Sequence, residues 1–364
     1  MAMKEQFEYH SNPGHVIFGR GTIAKVPDEI SRLGVSRPLV LAAKRHHRQV
    51  EALTLALGGK GAGVFHEATM HTPVHITEKA LAYAKGNNAD SIITIGGGSA
   101  IGLGKALSNR TSWPHIAIPT TYSGSEMTPL LGELANGKKT GTTAPRILPG
   151  TVVYDVDLTL TLPPSVSVIS GFNAMAHAVE ALYARQANPI TSHLAQEGIR
   201  ALVTALPSIA VDPNALSARS LALYGAFLSG TCLGSVDMSL HHKICHVLGG
   251  NFNLPHGELH TLVLPHALAY NAPKISNVLR ILADILPENK ETGGDAIQSL
   301  NVFMAQLPIP RGGMQEFGMR EEHIDVAAEL VVSQPYWNPR QVEQEGVQEL
   351  IRRVWAGEEA RADL

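Results

Sequence analysis

Six side chains in two short stretches have the types and spacing for chemistry. In HHKICHVLGGNFNLPHG, residues 241–257, His242 and His246 stand four apart and so share a helix face. His256 follows Gly249-Gly250 and Leu254-Pro255 and is expected on a loop that folds back. Upstream, in SGFNAMAHAVEALYA, Asn173 and His177 form a second pair four apart. Converged on one pocket, His177, His242 and His256 would offer three imidazoles to Zn²⁺ or Fe²⁺. The place where such a site wants a carboxylate holds the amide of Asn173. Lys243 adds a positive charge on the same helix. A neutral weak ligand and a nearby cation both weaken a divalent ion in a dry site, so no metal is expected; were one present, His177, His242 and His256 would hold it. The plainer reading of each histidine is a hydrogen-bonded core residue, and it stays open most for His241.

A second kind of chemistry sits in the first half. After the apolar run SIITI come Gly96, Gly97, Gly98 and Ser99, then a helix through Lys105. A strand, a glycine turn and a helix N-terminus form a ready anion site, because glycine lets a phosphate approach and free N–H groups attract its charge. The pattern is not GxGxxG. The next strand, WPHIAIPTT, runs into Thr120, Thr121, Tyr122, Ser123 and Gly124. Hydroxyls at a strand's C-terminal end suit the ligand crevice of an open α/β sheet. The two loops together suggest a dinucleotide. Lys138, Lys139 and Arg146 follow in a polar, hairpin-like excursion.

These residues need elements to hold them. From Val16 to Tyr154 short apolar strands alternate with helical patterns: strands near 38–43, 61–66, 91–95, 113–121 and 152–154, helices near 23–33, 47–57 and 77–85. Alternation predicts a parallel sheet with helical crossovers. Beyond Pro163-Pro164 strand patterns nearly vanish, and helical periods recur to Ile351, with breaks expected at Asn188-Pro189, Pro207 and Pro255-His256-Gly257. The fold class is a Rossmann-like α/β N-terminal domain over 1–160, then an all-α domain over 161–364, with the cleft between them as the expected active site. At 364 residues, 44% hydrophobic and 17% charged, the chain is an ordinary globular protein long enough for two cores. A net charge of −3 gives no reason to expect nucleic acid or an anionic membrane. Two cysteines, Cys232 and Cys245, exclude a disulfide framework and suit a reducing cytoplasm. MAMKEQFEYH lacks the apolar core of a signal peptide, and no apolar run approaches the ~20 residues that span a bilayer.

Taken in order, GGGS with Lys105, PTT…GSE at 119–126, LP…YD at 148–155, GFNAMAHAVEA at 171–181 and H-x3-H…PHG at 242–257 resemble the iron-containing alcohol dehydrogenase superfamily over nearly the whole chain. Its architecture, shared with dehydroquinate synthase, is an NAD(P)-binding α/β domain followed by a helical one, commonly as a homodimer. Within the superfamily the chain looks most like the maleylacetate reductase branch: GGGSAIG has Gly102 where GGGSxxD has an acid, Asn173 stands for the metal-ligating Asp, and MHTPV at 70–74 and His241-His242-Lys243 fit that branch.

The resemblance implies that Gly97, Gly98 and Ser99 hold a pyrophosphate and that Thr120, Thr121, Ser123 and Lys139 line the rest of the cofactor crevice. The acid that contacts the adenosine ribose in many relatives is missing near Ala43, which implies use of both NADH and NADPH. The implied reaction is reduction of the C=C bond of maleylacetate, a small dicarboxylate, to 3-oxoadipate in aromatic-compound degradation. Hydride addition β to the ketone leaves an enolate, which hydrogen-bond donors can stabilise without a metal. His242, His246, His256, His177 and Asn173 would polarise the substrate and supply the proton, with Lys243, His241 and Tyr122 binding it. Other readings are a metal-dependent alcohol or polyol dehydrogenase, a lyase like dehydroquinate synthase, and a non-catalytic nucleotide-binding or metal-sensing protein.

Overall fold

The structure is a computed structural model that describes residues 7–9, 12, 14–135, 138–287 and 294–363. The chain divides into two compact units, Ser11–Leu162 and Pro163–Leu364, with residues 7–9 grouped with the second.

The first unit carries eight strands among its described residues: β1 His15–Gly19, β2 Pro38–Ala42, β3 Val64–Phe65, β4 Ser91–Gly96, β5 His115–Pro119, β6 Leu130–Ala135, β7 Lys138–Thr143 and β8 Thr151–Asp155. Six form one parallel sheet in the order β1-β8-β5-β4-β2-β3. Helices α1 Val26–Arg32, α2 His47–Ala56, α3 Val74–Gly86 and α4 Gly98–Thr111 are the crossovers. Every residue of β2, β4, β5 and β8 is buried, as expected of strands covered on both faces. The strand expected near 61–66 shrinks to Val64–Phe65, because Gly61 and Gly63 weaken its start. The excursion after β5 is a real hairpin, with β6 and β7 antiparallel. α4 lies close on the sheet because Gly104 has no side chain: a Cβ there would meet Thr94 at 2.5 Å and His115 at 2.6 Å.

The second unit contains no strand among its described residues. Its helices are α5 Pro164–Tyr183, α6 Pro189–Val211, α7 Leu216–Leu233, α8 Leu240–Phe252, α9 His256–Asn271, α10 Ser276–Ile285, α11 Ala296–Ala305, α12 His323–Val332 and α13 Gln344–Ala356. No helix of the described residues is long and apolar enough to cross a membrane. Three expectations fail here. Gly249-Gly250 does not break the helix; α8 continues to Phe252 and ends at Asn253, which takes the left-handed conformation at φ 53°. His256 is not on a loop but opens α9 just after Pro255. Pro207, expected to end a helix, lies within α6. In each case burial of the helix face outweighs the local propensity, a weak term beside tertiary packing.

Candidate active site

α5 sets the first side of the cluster. Asn173, His177 and Glu180 fall at i, i+4 and i+7, one helical face, and all three are buried. Around them the helix is rich in alanine, and Gly171 lets α6 come so near that a Cβ would touch Leu206 at 2.6 Å. α8 brings His241, His242, Lys243, Cys245 and His246, and α9 brings His256 and His260. Gly257 sets the approach of α9 to α5, since a Cβ there would lie 2.6 Å from Ile169.

Six histidines result in one connected group. His177 and His242 lie with ring centroids 4.9 Å apart, His242 and His260 4.9 Å, His241 and His260 4.9 Å, and His256 and His260 4.3 Å. His246 extends the group outward, 6.0 Å from His242 and stacked 6.5 Å from His256. His246 is exposed and His256 half-buried, whereas His241 and His260 have no exposed surface. Thus His242, His246, His256, Asn173 and His177 do share a neighbourhood, while His241 stands behind it. Its Nε2 is 3.0 Å from His260 Nδ1 and 3.7 Å from Cys245 Sγ. Burial, then the neighbouring histidines, push the pKa of both His241 and His260 well below the ordinary value, so these rings are neutral. Burial pushes the Cys245 thiol up, and Cys232 up to about 12. Neither cysteine is a reactive thiolate.

Glu180 is the residue that sequence reasoning passed over. It is completely buried and takes the place of a capping side chain on α8. Ser239 donates its backbone N–H to Oε2 at 2.9 Å, and His241 donates its own to Oε1 at 2.9 Å. Oε2 also lies 2.6 Å from His242 Nδ1, and His242 Nε2 lies 2.8 Å from His177 Nδ1. His260 was missed as well, although it follows His256 by four on the same helix. Three buried atoms of the group have no hydrogen-bond partner among the described residues: Asn173 Oδ1, His241 Nδ1 and His260 Nε2. Lys243 is partly buried, which lowers its pKa, and its ammonium sits 5.7 Å from the Tyr336 ring centre.

In the first unit, the turn between β4 and α4 opens onto a cleft of about 230 Å³ lined by Ala43, Arg45, Ala68, Gly96–Ala100 and Thr121. Gly97 is the extended N-cap of α4, and a Cβ on it would collide with Thr121 at 2.9 Å; around Gly98 the space is open. So Gly97, Gly98, Ser99 and Thr121 share one concavity, with Arg45 as an addition that no motif announced. Thr120 is tied to β4 through its N–H to Gly96 O at 3.0 Å. Tyr122 is fully buried. Ser123 follows in the same loop, before Ser125–Met127. Lys139 pairs through its backbone with Leu134, and its side chain lies outside the described residues. Lys105 anchors this loop from α4. Its buried ammonium donates to Ser125 O, to Thr128 Oγ1 at 2.8 Å and to Leu130 O at 3.0 Å. Burial lowers its pKa to about 7, against the opposing pull of Glu126.

The MHTPV turn at 70–74 and Gly102 approach each other closely. His71 and Thr72 both have positive φ, 64° and 48°, a strained conformation for a β-branched residue. The turn places Thr72 Oγ1 where a side chain at position 102 would begin: a Cβ on Gly102 would lie 2.5 Å from it.

Residues 13–156 match the family described as iron-containing alcohol dehydrogenase, and residues 167–355 match the C-terminal family of Fe-containing alcohol dehydrogenases. A maleylacetate reductase of Rhizobium sp. (strain MTP-10005) is 47% identical over 97% of this chain and 99% of its own. Maleylacetate reductase 1 of Rhodococcus opacus is 40% identical over 97% of both chains. The crystal structure of maleylacetate reductase from Agrobacterium tumefaciens superposes with a TM-score of 0.92 at 46% identity, covering 98% of this chain and all of that one. A 1,3-propanediol oxidoreductase at 23% identity and a TM-score of 0.90 shares the fold. The chain is therefore an oxidoreductase of the iron-containing alcohol dehydrogenase superfamily and belongs to its maleylacetate reductase family.

Proposed function

We propose that this protein reduces the C=C bond of maleylacetate to 3-oxoadipate with NADH or NADPH and without a resident metal, in the cytoplasm and as a homodimer. The α/β unit (residues 1–160) binds the dinucleotide and the helical unit (161–364) holds the substrate. The observation that carries the metal-free part is the donor set at Asn173. The ion for which the superfamily is named needs anionic or neutral donors aimed at one point. Asn173 supplies a neutral amide, and His177 Nδ1 and His242 Nε2 are committed to each other at 2.8 Å. Among the described residues, the three metal-ligating atoms that do converge, within 4.8 Å, belong to His241, Cys245 and His260. The family's iron does not fit the residues present.

Maleylacetate carries a C=C conjugated to a ketone. NAD(P)H, when bound, would supply a hydride to the alkene carbon β to that ketone, leaving an enolate on the substrate. A proton on the α carbon then completes 3-oxoadipate, with NAD(P)⁺ as the other product. Charge spread over an enolate can be held by hydrogen-bond donors placed in advance. Asn173 can donate where an aspartate could not. His246 and His256 are the accessible imidazoles for that oxygen and for proton supply, backed by His242 and His177. Lys243 pairs with a substrate carboxylate, while His241 braces His260. In the cofactor cleft, Gly97, Gly98 and Ser99 take the pyrophosphate at the start of α4, and Thr120, Thr121, Ser123 and Lys139 line the remainder. With no acid at Ala43 and Arg45 alongside, a ribose 2′-phosphate meets attraction and not repulsion.

The decisive assay follows NADH oxidation with maleylacetate, with and without chelator. Turnover that chelator leaves untouched is the expected result. Activity abolished by chelator and restored by Fe²⁺ or Zn²⁺ would return the site to a metal-dependent alcohol dehydrogenase.

A further inference from the structure

Glu180 has no role in the reading of the motif that contains it, yet both oxygens of its side chain are committed. We propose that Glu180 is a positioning residue that holds His242 in its Nδ1–H form and so sets the direction in which protons run along the His242–His177 chain. The inference deepens the reductase reading and rests on it only for the kinetic readout.

The direction follows from what each partner can do. The backbone N–H groups of Ser239 and His241 can only donate, and they occupy both carboxylate oxygens. The Tyr183 hydroxyl adds a third donor, at 3.4 Å from Oε1. A carboxylate so surrounded is an acceptor, and the short contact of its Oε2 with His242 is completed by an N–H on Nδ1. A neutral His242 then has no hydrogen on Nε2. Since Nε2 lies 2.8 Å from His177 Nδ1, His177 must donate. The chain reads His177 to His242 to Glu180, every hydrogen pointing toward the carboxylate.

This order has a consequence for proton supply. In the neutral chain both Nε2 atoms are acceptors, so neither His177 nor His242 can give a proton from Nε2 to substrate. Proton supply therefore falls to His246 and His256, with the His177–His242 pair held behind them in one hydrogen-bond order.

A glutamine at position 180 cannot reproduce the arrangement. Its NH₂ must face either Ser239 N–H or His241 N–H, and an NH₂ toward His242 would favour the other tautomer. The test begins with the unaltered full-length enzyme: ¹⁵N NMR of the histidine side chains, with His242 assigned by comparison with His242→Gln. The expected form is Nδ1–H. An Nε2–H form overturns the proposal whether or not any variant folds. In Glu180→Gln the His242 signal should move toward Nε2–H, and kcat with maleylacetate should fall about 10–100-fold, the usual loss when such a partner is removed, with KM within about threefold. Unchanged tautomer and kcat in the variant would equally overturn it. Should the unaltered enzyme fail to oxidise NADH with maleylacetate, the substrate reading falls while the tautomer measurement still decides the role of Glu180.

Discussion

At residue 173 one atom separates two kinds of site. The carbonyl oxygen of Asn173 is buried beside the histidine group with no hydrogen-bond partner among the described residues, and replacing the amide by a carboxylate would supply the missing anion. Asn173→Asp is expected to raise Zn²⁺ or Fe²⁺ affinity at least about tenfold, the gain of roughly 1.4 kcal/mol that one added charge readily exceeds in a dry site, and to lower metal-free turnover; calorimetric titration and metal content of the purified variant check it. Lys243→Met should raise KM for the dicarboxylate at least about tenfold with a smaller change in kcat, because removing a binding charge acts on ground and transition state alike. Arg45→Ala should lower kcat/KM for NADPH at least about tenfold while leaving NADH within threefold, as expected of a cation that meets only the 2′-phosphate. The histidines were legible because fourfold spacing projects onto one helix face. Glu180 was legible too, had its signal been weighed: a lone acid in an alanine-rich helix, three after His177 and seven after Asn173, on the buried face. Arg45 had no such signal, since its relation to the glycine turn depends on the order of strands.

Elements were legible in kind and less so in extent. Alternating apolar runs predicted the parallel sheet, and the helical second half was readable from its periodicity. The sheet order β1-β8-β5-β4-β2-β3 was not, because periodicity describes faces and not neighbours. Breaks were over-read at Gly249-Gly250 and Pro207 because glycine and proline cost a helix a few kcal/mol at most, and burial of the inward helix face outweighs that. Some glycines instead mark close contact. Gly257→Ala would put a Cβ 2.6 Å from Ile169 and force α9 from α5. A loss of about 1–3 kcal/mol in stability is expected, measured by chemical denaturation. The drop in kcat should be larger than the folded fraction explains, because His256 and His260 move with α9.

Several imidazoles among the described residues are buried in neutral form. Burial holds His115 down to about 3 and His266 to about 4, and pushes His241 and His260 well below the ordinary range. Each pKa is lower folded than unfolded, so below pH ~6.5 the unfolded chain binds protons that the folded one refuses. Stability is therefore intact above that pH and falls as the pH drops toward the folded values, by up to ~1.4 kcal/mol per pH unit for each such group. Melting temperature should decline steeply between pH 6.5 and about 4, and a flat profile across that window would contradict the buried neutral assignments. Lys105 acts with the same sign higher up: with its pKa lowered to about 7, stability should gain between pH 7 and the ordinary lysine range.

The contact between Thr72 and Gly102 constrains history as well as packing. An acid at position 102 has nowhere to put its Cβ while Thr72 occupies that space, so the two positions can exchange states only in a certain order. Gly102→Asp alone should cost stability, and the same change made after Thr72→Ala should cost less, with a non-additivity of at least ~0.5 kcal/mol in the double-mutant cycle. A lineage that lost the acid first and then reached threonine in this strained turn would find the way back closed to a change at position 102 alone.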